Sequence, residues 1–256
     1  MSKHAASSPG APCWVELFTS DPDWTVPFYG ELFGWTPEYM GEQYGGYINL
    51  RKDGEMLAGC MTNDGTSGAP DSWSVYLASD DAETTVKAAA ASGGQVVVPT
   101  MGVMALGTMA MLTDPGHAAV GVWQPGTFSG FGLIDEPGAP AWFELLTRDF
   151  AASVAFYEDV FGWQTHVLGD TDEFRYTTLG EGDAARAGIM DGSGFLPEGS
   201  PAKWRVYFAV ADADATTAQV EGLGGTVLRS PQDTPYGRLA EVSDPTGATF
   251  AVMASD

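Results

Sequence analysis

The stretch WVELFTSDPDWTVPFYGELFGW at residues 14–35 returns as WFELLTRDFAASVAFYEDVFGW at residues 142–163, with eleven of 22 columns identical. Composition alone would match about one or two columns, so the chain is a tandem duplication. The far ends of the copies repeat as well: WSVYLASDDAETTVKAAAASGG (73–94) answers WRVYFAVADADATTAQVEGLGG (204–225), and DPGHAAVGVW (114–123) answers DPTGATFAVM (244–253). Between them QPGTFSGFGLIDEPGAPA is rich in Gly and Pro and lacks periodicity, as a linker does. The division expected is a flexible tail at 1–10, a first domain at 11–124, a linker at 125–139 and a second domain at 140–254.

Each copy holds a fainter repeat of its own. Residues 14–19 alternate with the two-residue period of a strand, and Asp21 stands where a helix N-cap belongs. Trp24, Phe28 and Phe33 recur at near-helical spacing over 23–33, and Gly34 stops the helix. GGYINL and EMLAGCM read as strands. Segments 73–79, 82–92, 95–99, 107–113 and 118–123 then give a strand, a helix and three more strands. The fold class expected is α+β, with two βαβββ units per half.

Two such units per half, the FYxxxFGW helix end, the Gly-Gly before a strand and the DPxG turn before the last strand together resemble the vicinal oxygen chelate superfamily. That superfamily includes glyoxalase I, extradiol dioxygenases, and bleomycin and fosfomycin resistance proteins. The resemblance covers nearly all of residues 11–254, and the tandem form looks like an actinobacterial glyoxalase-like group. It implies two tandem glyoxalase-like domains, each a pair of βαβββ units forming a curved mixed sheet around a cavity. It also implies a monomer whose halves form a pseudo-dimer, or a homodimer.

The superfamily's metal enzymes take His or Gln ligands from first strands and acids or His from last strands, because a divalent cation needs convergent lone pairs. The first-strand ligand lies seven residues before the helix-opening Asp, which lands on Trp14 and Trp142 and, in the second units, on Ser74 and Arg205. The last-strand acid lies seven residues after the Asp of DPxG, which lands on Gly121 and Ala251; the remaining position falls near Ala58-Gly59 and Ala187-Gly188. None of these supplies the family ligand, and His4, His117 and His166 share no spacing. The expectation is no metal and no cofactor.

Strand alternation puts Trp14, Glu16 and Phe18 on the face of the former ligand, with Trp142, Glu144 and Leu146 likewise; Val15, Leu17, Phe143 and Leu145 face the helix. The paired strands add Ser74, Tyr76 and Ala78 in one half and Arg205, Tyr207 and Ala209 in the other. Trp14 or Trp142 then stacks a flat ligand, while Glu16 or Glu144 accepts a hydrogen bond or acts as a general base with Tyr76 or Tyr207 as donor. The bland alternative is a carboxylate satisfied by its neighbours and a Trp that fills the space a metal would take. Phe18, Trp123, Arg205 and Arg238 complete the candidate ligand contacts. Met101, Met104, Met109 and Met111 make the first half greasy, whereas Tyr236, Gly237 and Arg238 make the second more polar and the expected seat of an anionic or phenolic ligand.

A net charge of -23 repels nucleic acid and anionic membrane surfaces, which leaves a small molecule as the partner. Two cysteines without a CxxC motif, and an N-terminus without an apolar core, fit a cytoplasmic protein. The leading expectation is a metal-independent protein that binds an aromatic or polycyclic metabolite. The alternatives are a metabolite-tailoring isomerase, cyclase or hydroxylase-like enzyme that uses a cavity Glu with Tyr, and a metal-dependent glyoxalase-type lyase.

Overall fold

Four aspartates start four helices. In the computed structural model, which describes residues 8–255, Asp21, Asp81, Asp149 and Asp212 each accept the backbone N–H three residues on and so cap α1 (Pro22–Phe33), α2 (Ala82–Ala91), α3 (Phe150–Phe161) and α4 (Ala213–Gly222). Gly34 at φ 75° and Gly162 at φ 68° close α1 and α3 in the left-handed conformation that glycine adopts without penalty.

Around these helices the first half lays β1 (Pro12–Thr19), β2 (Thr36–Tyr39), β3 (Ile48–Lys52), β4 (Glu55–Thr62), β5 (Ser72–Ala78), β6 (Gln95–Val103), β7 (Gly107–Thr113) and β8 (Ala119–Pro125). The second half repeats them as β9 (Pro140–Thr147), β10 (Thr165–Asp170), β11 (Arg175–Leu179), β12 (Ala187–Asp191), β13 (Lys203–Ala209), β14 (Thr226–Thr234), β15 (Gly237–Ser243) and β16 (Thr249–Ala254). Each half is one mixed eight-stranded sheet, ordered β2-β3-β4-β1-β5-β8-β7-β6 in the first and β10-β11-β12-β9-β13-β16-β15-β14 in the second. Two βαβββ units thus meet edge to edge where β1 runs antiparallel to β5 and β9 to β13. β2 escapes the sequence reading because TPEY is exposed at every position and carries no apolar period.

The core lies on the helix side of each sheet, where Val15, Leu17, Val75 and Leu77 are fully buried. There the repeated FYxxxFGW stretch joins the halves. Tyr29 donates to Asp244 at 3.1 Å and accepts from Trp73 at 2.9 Å, and Tyr157 does the same with Asp114 at 3.3 Å and Trp204 at 3.0 Å. Phe33 packs on Phe208 and Phe250 of the other half. Trp35 donates to the Gly138 carbonyl and Trp163 to that of Gly10, another pair related by the repeat. Gly10 is therefore docked rather than part of a free tail: its φ is +80°, and a Cβ there would come within 2.4 Å of the Phe161 carbonyl. Residues 1–7 of the expected tail, His4 included, lie outside the described residues.

Candidate functional site

On the opposite face of β1, Trp14, Glu16 and Phe18 alternate outward from the core, and Tyr76 stands beside Trp14 across the β1–β5 ladder. Their polar atoms connect. Trp14 Nε1 donates to the Tyr47 hydroxyl at 3.3 Å, Tyr47 donates to Glu16 Oε2 at 2.8 Å, and Tyr76 donates to Glu16 Oε1 at 3.1 Å. Among the described residues no basic side chain pairs with Glu16. Burial raises its pKa, and the two tyrosine hydrogen bonds oppose that rise. Phe18 is half-buried at the end of the row, while Trp123 is buried with its Nε1 on the Phe128 carbonyl at 3.0 Å.

The second half rebuilds the cluster with charge added. Trp142 Nε1 donates to Tyr176 at 3.0 Å, and Tyr207 donates to Glu144 Oε2 at 2.8 Å. Tyr176 also interacts electrostatically with Glu144. Arg205 lies 3.7 Å from Glu144 and 2.7 Å from Glu241, and Lys203 reaches Glu241 at 3.6 Å. Burial raises the Glu144 pKa; the Arg205 charge and the Tyr207 and Tyr176 hydrogen bonds act against it. Glu241 takes the register position that Met111 holds in the first half, since Glu241 pairs with Ala251 and Met111 with Gly121. The polar character expected of this half thus resides in Arg205 and Glu241.

Arg238 is a correction. It sits one position off the register of Glu241, beside Ala240 rather than Leu239 and Glu241, and pairs with Asp214 on α4 and with Asp233 at 2.8 Å. Strand alternation sends it to the helix side. The methionines also divide: Met109 and Met111 pack toward the core cluster, whereas Met101 and Met104 are exposed. Tyr236 is exposed as well.

Tyr47 and Tyr176 were not among the sequence candidates, and they explain what stands at the superfamily's ligand positions. A Cβ on Gly59 would lie 1.8 Å from the Tyr47 hydroxyl, one on Gly188 2.0 Å from the Tyr176 hydroxyl, and one on Gly121 2.1 Å from the Tyr76 ring. No side chain fits at those three positions while the tyrosines hold their places. With Trp14, Ser74, Trp142, Arg205 and Ala251 at the others, the donor set does not fit a divalent cation. Among the described residues, no group of three or more His, Cys, Asp or Glu side chains is placed to share one.

Neither of two open surface grooves coincides with these clusters. One, of about 400 Å³, lies between α3 and the Asp170–Arg175 pair, and the other, of about 300 Å³, lies where Arg51 and Glu55 meet the segment 127–132. Among the described residues no helix is long and apolar enough to cross a membrane.

The chain is 38% identical to CFP32 of Mycobacterium tuberculosis (strain CDC 1551 / Oshkosh), a protein carrying a glyoxylase designation, over 99% of this chain and 98% of the relative. It is 35% identical to the anthracycline biosynthesis protein DnrV of Streptomyces peucetius, over 96% of this chain and 94% of that one, so its relatives reach into secondary metabolism. The Mn(II)-bound glyoxalase of Novosphingobium aromaticivorans shares the fold at a TM-score of 0.66 and 15% identity, covering 96% of this chain and 82% of its own. The family model that matches is Glyoxalase/Bleomycin resistance protein/Dioxygenase superfamily, and it matches twice, at residues 12–122 and 139–252. The chain belongs to that superfamily, as a tandem repeat of its domain.

Proposed function

We propose that this protein binds a flat aromatic or polycyclic metabolite, without a metal, on the Trp142 face of its second half. The observation that carries the reading is Gly188 roofed by Tyr176 at one expected ligand position of this half, with Ala251 at another, where a cation would need oxygen or nitrogen donors and an aromatic surface stands instead. Trp142 is half-buried, and its indole N–H is fixed by Tyr176, so the ring is held in place at little entropic cost. A relative named for anthracycline biosynthesis supports a polycyclic ligand, and two buried cysteine thiols suit a reducing cytoplasm.

The test is a titration with an anthracyclinone, a tetracyclic quinone aglycone, read by quenching of tryptophan fluorescence. Saturable binding is expected, with at least a tenfold loss of affinity in Trp142→Ala. Absence of saturable binding, or equal binding by that variant, contradicts the proposal.

A second reading rests on Glu144, a buried carboxylate whose pKa is raised and which receives a hydrogen bond from Tyr207. Such a pair suits proton abstraction from an acidic carbon of the bound metabolite. Loss of turnover with retained binding in Glu144→Gln and Tyr207→Phe identifies it; binding without turnover by the intact protein returns the site to carriage or sequestration.

A further inference from the structure

The two tryptophan seats are unequal, and the difference lies in the chain between the halves. In the first half Phe128 stands edge-on against Trp14, with ring centroids 4.9 Å apart at 89°, and lies 5.9 Å from Trp123. Its own carbonyl accepts from Trp123 Nε1, and Phe131 adds a tilted contact to Trp14 at 6.0 Å. The segment is tied down: Phe131 N donates to the Cys13 carbonyl at 2.9 Å and Gly132 N to that of Met56 at 2.7 Å. Gly130 lets it approach, since a Cβ there would meet the Cys13 carbonyl at 2.3 Å. Trp14 is left 6% exposed.

In the second half no aromatic ring packs against Trp142 among the described residues, and the indole stays half-buried. The tyrosine that fixes it is extended instead. Phe174 stacks on Tyr176 at 5.8 Å and 5°, is 39% exposed, and sits where the first half has Gly45; Gly169 makes room for it, because a Cβ there would lie 2.3 Å from the Phe174 ring. Trp142, Tyr176 and Phe174 therefore form an aromatic run in which Tyr176 is buried, Trp142 half-buried and Phe174 exposed, where the Trp14 counterpart is closed by the chain itself.

We infer that Phe128 is a built-in occupant of the first seat, standing in for a ligand ring, so that the chain takes one aromatic ligand, at Trp142, and not two. This rests on the proposed binding function for the natural ligand's size, but the self-occupancy has its own consequence. A ring the size of a phenyl group, placed edge-on to the indole, is the minimal shape the seat takes, and phenol supplies it.

The test uses the full chain labelled with ¹⁵N, with the indole N–H signals of Trp14 and Trp142 assigned from Trp14→Phe and Trp142→Phe. Phenol at millimolar concentration is expected to shift the Trp142 signal alone in the intact protein and both signals in Phe128→Ala. A phenol-dependent shift at Trp14 in the intact protein, or none at Trp14 in Phe128→Ala, overturns the inference; so does an unmoved Trp142 signal. The anthracyclinone titration then reads stoichiometry: one site in the intact chain, two in Phe128→Ala, one again in Phe128→Ala combined with Trp14→Ala. Phenol responses as expected with no binding of the quinone would leave self-occupancy standing and remove the polycyclic reading of the function.

Discussion

At the scale of single residues, the unusual feature is glycine beneath tyrosine. Gly59 and Tyr47 occupy one volume, so Gly59→Ala forces the Tyr47 hydroxyl to move and strips Glu16 of its shortest hydrogen bond. Overpacking of this kind costs about 1–3 kcal/mol, and the melting temperature should fall accordingly. The same change in a Tyr47→Ala background has no ring to displace, so the double variant should show strong non-additivity in a thermal double-mutant cycle. Additive losses would mean that the ring does not sit over Gly59. The two arginines part in the same way. Arg205→Ala removes the charge beside Glu144 and should weaken quinone binding several-fold, whereas Arg238→Ala breaks an exposed pair, changes stability by less than about 1 kcal/mol and leaves binding intact. Equal effects of the two on binding would place Arg238 in the site after all.

Among the elements, the helices and most strands were readable because each is signalled locally: an Asp cap, a Gly stop, a two-residue apolar alternation. The faces of β1, β5, β9 and β13 followed from the same alternation, which is why Trp14, Glu16 and Tyr76, and Trp142, Glu144, Arg205 and Tyr207, could be grouped on one face of each sheet from the sequence. Tyr47 and Tyr176 lie on β3's approach and on β11, strands whose partners are set by long-range pairing, and no local pattern aims their rings at Glu16 and Glu144. One signal was present: Tyr47/Tyr176 and Gly59/Gly188 each repeat 129 residues apart. The connecting segment misled for a different reason. Its glycines read as flexibility, yet Gly126 and Gly130 sit where a Cβ would come within 2.5 and 2.3 Å of the Ala105 and Cys13 carbonyls. They permit close approach of backbone to backbone. Phe128→Ala should accordingly lower the melting temperature by the equivalent of about 1–3 kcal/mol, the loss of a partly buried ring, while the far-ultraviolet dichroism stays unchanged. An unchanged melting temperature would mean that the segment does not pack on Trp14.

Over the whole molecule, the duplication builds an interface from two copies of one hydrogen-bonded set, and each set contains a buried carboxylate. Asp114, 1% exposed, accepts from Tyr157; burial raises its pKa to about 6, against backbone and tyrosine hydrogen bonds that lower it. Asp244, which accepts from Tyr29, is raised for the same reason. A carboxylate whose folded pKa lies above its unfolded value binds more protons when folded, so its own contribution to stability is greatest below about pH 4 and is lost as pH rises through about 6. For Asp114 the shift corresponds to about 2 to 3 kcal/mol. Relief of self-repulsion in a chain of net charge -23 acts in the same direction, so the comparison that isolates the aspartate is with Asp114→Asn. The intact protein should melt higher at pH 5 than at pH 7.5, and the variant should show a smaller difference; equal slopes would remove Asp114 from the account.

What the two halves are for is the central claim, a fold shared with metal enzymes that here presents aromatic seats, one filled by its own chain and one open. The most direct measurement is native mass spectrometry of the intact protein incubated with zinc, nickel, iron(II), manganese and the anthracyclinone together. The account predicts one organic adduct per chain, lost in Trp142→Ala, and no stoichiometric metal. A metal bound once per half, with or without the quinone, would contradict it.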